Sequence, residues 1–315
     1  MTEGPLLTAP FYADLALGPE GGEAFWLVTE DRLRIRAGVW PMGTKGTVLL
    51  FPGRTEYVEK YGLAAADLQA RGYATVAIDW RGQGLADRML DNRMLGHVAR
   101  FQDYQRDVQA VLGLIRRLGL PEPLYLLSHS MGGAIALRAL ISGLPVKAAS
   151  FSAPMWGIAM ASWMRPLVQP MAQLSGWFGQ SHRLAPSTSD KSYIAEADFG
   201  GNVLTTDPGM WRYMKRQVTE RPELALAGPS MGWLQAALAE CRELALAPAP
   251  DYPALTALGT AEKVVDLAPI HLRMAGWRGG RLEMFVGAEH EIPMETPDRR
   301  KRFFDLTAGL FDSNR

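Results

Sequence analysis

The sequence predicts an α/β protein, a mostly parallel sheet with helices on both faces and a mostly helical insertion. Three observations predict it. Short apolar runs recur at 47–53, 74–80, 124–128 and 147–153. Helix-like stretches lie between them, and continuous apolar strands alternating with helices build βαβ units buried on both sides. The rhythm stops near residue 154 and resumes at 252, which splits one core around an insertion.

Taken in order, residues 24–40 read as an edge hairpin turning at Glu30-Asp31. TVLLFPG (47–53) is a strand that ends at Pro-Gly, and 59–71 is helix-like. ATVAIDW (74–80) is the next strand. Residues 101–118 carry Phe101, Tyr104, Val108, Val111, Leu112 and Ile115 at helical spacing. LYLLS (124–128) leads into the helix-like MGGAIALRALIS, and KAASFSA (147–153) is a fourth strand. YPALTALG (252–259) and RLEMFVGA (281–288) follow the insertion, with a last helix near 295–311. The expected organisation is a core of 1–153 and 249–315 and a cap of 154–248.

With 48% apolar and 21% charged residues the chain reads as globular. Lys+Arg and Asp+Glu balance at 33 each, so there is no basic footprint for nucleic acid. Cys241 is the single cysteine, which excludes an internal disulfide and fits a reducing, cytoplasmic setting. The N-terminus lacks a basic start followed by an apolar run, so no signal peptide is expected. No stretch reaches the roughly 18 uncharged apolar residues of a membrane span. Peripheral membrane contact through the cap stays open, and the oligomeric state is not readable.

The chemistry gathers around Ser130. Residues 124–133 read LYLLSHSMGG, an apolar strand running into a glycine-rich helix start. This resembles the G-x-S-x-G nucleophile elbow of the α/β-hydrolase fold, with Ser128 in place of the first glycine. The tight turn asks for a small side chain there, which serine supplies. Such a turn lifts the Ser130 hydroxyl clear of the sheet and aims the Met131 N–H at a substrate carbonyl oxygen. The alternative for Ser130 is a helix N-cap.

A serine hydroxyl needs a base. Of the five histidines, His97, His129, His182, His271 and His290, only His290 follows the last strand. In this fold the base arrives there, in the order Ser, acid, His. The acid should follow the preceding strand, where Glu262 and Asp266 both stand. Glu262 is nearer the strand end, whereas Asp266 also suits a helix cap. Glu289 and Glu291 flank His290 and are expected to be solvated or supporting. The second oxyanion donor should come from the loop at 51–62, as the N–H of Arg54 behind Pro52-Gly53. The Arg54 side chain either reaches toward a phosphate or pairs with Glu56 or Glu59, and the ion pair is the simpler expectation.

With these residues in hand, the sequence resembles the serine hydrolases of the monoacylglycerol lipase and bacterial lysophospholipase group. FPGRTEYVEKYG, IDWRGQG, LSHSMGGAIALR, and GTAEKVVD with GAEHEIPME carry the resemblance. Pro-Gly-Arg in the first loop and SAPMWG at 152–157 look more like the bacterial lysophospholipases. The resemblance implies an ester hydrolase acting on acyl chains attached to glycerol or glycerophospho groups, with no metal or organic cofactor. It departs at Ser128, and at Glu262 where many relatives have Asp.

The cap is rich in Trp and Met: Trp156, Trp163, Trp177, Phe178, Trp211 and Trp233, with Met155, Met160, Met164, Met171, Met210, Met214 and Met231. They suit an apolar acyl groove, or ordinary helix packing. Arg212, Lys215 and Arg216 form a small cationic cluster that faces either a phosphate or solvent. Acyl transfer, peptide hydrolysis and pure ligand binding on the same fold are the alternatives to ester hydrolysis. A carboxylate nucleophile is excluded by serine at 130.

Overall fold

Strand-forming runs become strands here because neighbouring runs bury them on both faces. The computed structural model describes residues 5–160 and 179–315. β1 (Leu7–Thr8), β2 (Glu23–Val28) and β3 (Arg34–Trp40) form an antiparallel edge, with the β2–β3 turn at 29–33. β4 (Thr47–Phe51) leads through α1 (Gly62–Gln69) to β5 (Ala74–Asp79). α2 (Tyr104–Leu118), β6 (Leu124–His129), α3 (Met131–Ile141) and β7 (Ala149–Ser152) follow. β8 (Ala254–Gly259), α6 (Leu267–Gly276), β9 (Gly280–Phe285) and α7 (Pro297–Asp312) complete the core. The sheet runs β1-β2-β3-β5-β4-β6-β7-β8-β9, parallel from β5 to β9.

Each face carries its own core. Val108, Val111 and Ile115 of α2, Ile135 and Leu137 of α3, and Ile270 and Met274 of α6 pack on one side. Ala64 and Leu68 of α1 and Phe303, Phe304 and Phe311 of α7 pack on the other. α2 ends at Gly119, whose φ of 60° is the left-handed conformation that closes a helix cheaply only with glycine.

Between β7 and β8 lie α4 (Pro208–Glu220) and α5 (Met231–Leu246). Asp207 caps α4 through the N–H groups of Gly209 and Met210, and Ser230 caps α5 through that of Trp233. Ser230 also meets His97 Nδ1 at 2.7 Å, which ties α5 to the loop after β5. Among the described residues no helix is long and apolar enough to cross a membrane.

The tryptophans divide between roles. Trp156 stacks with Trp277 at 6.0 Å in the core, and Trp211 is buried beside Tyr193. Trp233, Met155 and Met160 instead line a cavity. Trp163, Met164, Met171, Trp177 and Phe178 lie outside the described residues.

Candidate active site

Every residue expected to take part in the chemistry follows the carboxyl end of a parallel strand, where open α/β sheets place their sites. Ser130 follows β6, and the β6–α3 turn is held by backbone bonds. Ser130 donates its N–H to Ser152 O at 3.0 Å, and Ser130 O accepts from Gly133 and Met155, each at 2.8 Å. The backbone pays for this turn: Ser130 has φ 50° and ψ −119°, a region costing about 1–3 kcal/mol. Gly132 and Gly133 make it possible. A Cβ on Gly132 would overlap the Phe51 carbonyl, and one on Gly133 would lie 2.5 Å from Pro154 Cβ. Met131 opens α3, so its N–H has no acceptor within the helix.

His290, after β9, reaches Ser130 Oγ with Nε2 at 2.9 Å. Its Nδ1 lies 2.7 Å from Glu262 Oε2. The other Glu262 oxygen accepts from the N–H groups of Val264 at 2.5 Å and Val265 at 3.1 Å. Burial pushes the Glu262 carboxyl up, but the His290 ring and these two N–H donors outweigh it and hold the group below its ordinary value. Asp266 does something else: its side chain accepts from the Ala268 N–H and caps α6. The structure therefore brings Glu262, and not Asp266, to His290.

The loop after β4 is pinned on both sides of Arg54. The Gly53 N–H donates to Glu56, the Gly53 carbonyl accepts from Gln83 Nε2 at 3.0 Å, and the Thr55 N–H donates to Gln83 Oε1 at 3.3 Å. Trp80 Nε1 holds the Pro52 carbonyl at 2.9 Å. The Arg54 N–H sits between two engaged neighbours and has no acceptor among the described residues. A Cβ on Gly53 would stand 3.1 Å from Ser130 Cβ, so this loop abuts the serine.

Beneath the site lies a buried ionic cluster. Lys60 Nζ is 2.7 Å from Glu56 Oε1 and 2.7 Å from Glu291 Oε2. Tyr61 donates to Glu56 at 2.5 Å. Of the two expectations for these flanking acids, solvated or supporting, Glu291 takes the supporting one, buried and paired with Lys60; Glu289 is half-buried, 3.6 Å from Lys263. The carboxylates share one ammonium. Burial raises both, but Lys60 outweighs it at Glu56, which is held at about 2, whereas Glu291 stays above its ordinary value. His129, its ring 4.7 Å from that of His290, is pushed down to about 3 by burial and is neutral. Glu56, His129 and Glu291 offer three donor atoms within 4.8 Å of one another, a spacing that suits a metal. The Lys60 ammonium already occupies the cation's place between the two carboxylates.

The side chain of Arg54 departs from its expected ion pair. Glu56 is taken by Lys60, and Glu59 by Arg36 at 2.6 Å. Arg212, Lys215 and Arg216 lie off the cavity, with Lys215 on the Ala197 carbonyl and Arg216 on Glu220.

Ser130, His290 and Arg54 open onto a cavity of about 450 Å³, walled by apolar side chains such as Met155, Ile158, Leu204, Val218, Trp233 and Val265. The family described as serine aminopeptidase, S33, matches residues 43–297, most of the chain. The chain belongs to this family. It is 33% identical to lysophospholipase L2 of Escherichia coli K12 over 84% of this chain and 80% of that one. It is 27% identical to the probable lysophospholipase L2 of Haemophilus influenzae over 81% and 80%. The monoglyceride lipase of Saccharomyces cerevisiae superposes with a TM-score of 0.70 at 19% identity, covering 100% of this chain and 96% of that one. The monoacylglycerol lipase of Paleococcus ferrophilus does so with 0.67 at 20%, covering 89% and 99%. The fold is that of the α/β-hydrolases, and this S33 member is a serine hydrolase.

Proposed function

We propose that this enzyme hydrolyses the carboxylic ester of a single acyl chain carried on glycerol or a glycerophospho group. The observation that carries the reading is one hydrogen-bonded chain, Glu262 to His290 to Ser130, ending in an apolar cavity. Ser130 attacks the ester carbonyl while His290 takes its proton, then returns it to the departing alcohol. Glu262 fixes the ring tautomer and stabilises its cation. The N–H groups of Met131 and Arg54 receive the oxyanion. Water then repeats the sequence on the acyl-enzyme; an alcohol in its place would make the reaction an acyl transfer.

The relatives named lysophospholipase support the substrate class, and the apolar wall suits an acyl chain. An aminopeptidase would need a carboxylate free to meet an α-ammonium. The two acids in the cavity wall, Glu56 and Glu291, are held by Lys60, which favours esters. Residues 154–248 act as the cap over a core of 1–153 and 249–315. The protein works in the cytoplasm and meets lipid at a membrane surface through that cap.

The test is a panel of monoacylglycerols, lysophospholipids, diacyl phospholipids and aminoacyl amides, run with wild type and Ser130→Ala. Turnover of single-chain esters that the variant loses is the expected result. Preference for amides, or equal rates in both proteins, sinks the reading.

A further inference from the structure

Arg54 is a cation in the wall of the Ser130 cavity with no anion to meet. No carboxylate among the described residues approaches it, because its two sequence neighbours of opposite charge are engaged elsewhere. Its Nη2 donates to the Ala227 carbonyl, its guanidinium lies 5.2 Å over the Trp233 ring, and its buried Nε has no partner. Burial pushes it down to about 10, still charged at neutral pH. A desolvated guanidinium held in one place by a carbonyl and a ring, yet left without a counter-ion, is costly unless a ligand completes it.

We propose that the Arg54 side chain binds the phosphate of the substrate's head group, making this enzyme selective for lysophospholipids over uncharged monoacylglycerols. The inference rests on the ester-hydrolase reading above and adds the head group to it. In the reading above the backbone N–H of Arg54 receives the oxyanion, and Arg54 also lines the cavity wall. In a lysophospholipid the glycerol carbons set the phosphate a few bonds from that carbonyl, so one residue can address both ends of the head group. Guanidinium matches phosphate oxygens with paired, charge-assisted hydrogen bonds. The acids in the wall pair with Lys60 and neither forms an ion pair with Arg54. Selectivity then comes from a core loop, while the Trp233 contact makes a cap helix part of the same subsite.

The experiment compares kcat/KM for a lysophosphatidylcholine and a monoacylglycerol of equal chain length, in wild type and in Arg54→Met and Arg54→Lys. Wild type should favour the phosphate-bearing ester, and Arg54→Met should lower the ratio of the two by about tenfold or more, with Arg54→Lys between them. A merely structural Arg54 would lower both rates together, and an unchanged ratio overturns the proposal. Should the Met variant not fold, competition in wild type decides. Glycerophosphocholine should inhibit hydrolysis of a short nitrophenyl ester more strongly than inorganic phosphate, and glycerol should not inhibit at the same concentration. Equal inhibition by glycerophosphocholine and glycerol, or stronger inhibition by inorganic phosphate, overturns head-group recognition. Wild type that turns over neither lipid refutes the broader function instead, and the competition arm still reports on head-group recognition.

Discussion

Glu262 Oε2 stands 2.7 Å from His290 Nδ1, on the side of the ring opposite Ser130. That placement fixes which nitrogen carries the proton, since a carboxylate accepts only from N–H. Glu262→Gln can present an amide donor to Nδ1 and turn the ring to the wrong tautomer. Its kcat on a nitrophenyl ester should fall by roughly three orders of magnitude. Asp266→Asn keeps the cap of α6, because Asn caps as well as Asp, and should leave kcat within about twofold. The reverse ranking would move the acid to Asp266.

The Lys60 cluster makes stability depend on acid. Burial raises the Glu56 carboxyl, but Lys60 more than offsets it, lowering the group from 4.5 to about 2. A carboxyl depressed by folding stabilises the protein above its unfolded value and loses that contribution as pH falls through the folded one. Glu56→Gln should therefore cost roughly 1–3 kcal/mol at neutral pH. The gap from wild type should hold down to about pH 4.5 and narrow below it. Urea unfolding of both proteins at neutral, mildly acidic and more acidic pH reads this directly; a gap that widens toward acid reverses the assigned sign.

Local signals made part of this site legible. A strand that ends in a glycine-rich turn must expose its serine, and an acid and a histidine just past later strands arrive at the same sheet edge. The apolar runs gave away the parallel sheet because both faces are buried. Long-range pairing was not legible. Arg54 has Glu56 and Glu59 close by in sequence, yet Arg36 from β3 takes Glu59 and Lys60 takes Glu56. Nothing near His290 announces that Glu291 turns inward to a lysine far away in sequence. The tryptophans of the insertion show the same limit: composition cannot separate Trp156, spent on packing against Trp277, from Trp233 at the cavity wall.

Ser128 takes the place of a glycine in the elbow, and its hydroxyl is buried without a partner among the described residues. A stranded hydroxyl costs its desolvation, so Ser128→Ala should stabilise the enzyme by up to about 1 kcal/mol. Thermal unfolding should shift upward by a few degrees at most, on the order expected for that energy. Activity should persist, since alanine keeps the position small. A drop in Tm would mean that the hydroxyl has a partner that matters.

Asn202 reaches the chemistry without touching it. Its amide donates to the carbonyls of Phe199 at 2.8 Å and Thr205 at 3.1 Å, and its oxygen accepts from the N–H groups of Leu204 and Thr205. The turn so built offers its own carbonyls to the His290 loop: Val203 O accepts from the His290 N–H at 3.4 Å and Leu204 O from the Glu291 N–H at 2.8 Å. A segment between β7 and β8 thus helps set where the base stands. Removing the amide in Asn202→Ala leaves the turn to find other conformations, and the His290 loop loses its fixed acceptors. Displacing a reacting group by an ångström can cost about a hundredfold, so a partial loosening should lower kcat by roughly tenfold. Stopped-flow acylation with a nitrophenyl ester would resolve the step. A variant with wild-type kcat and a lowered Tm would show that the turn braces the fold but does not position His290.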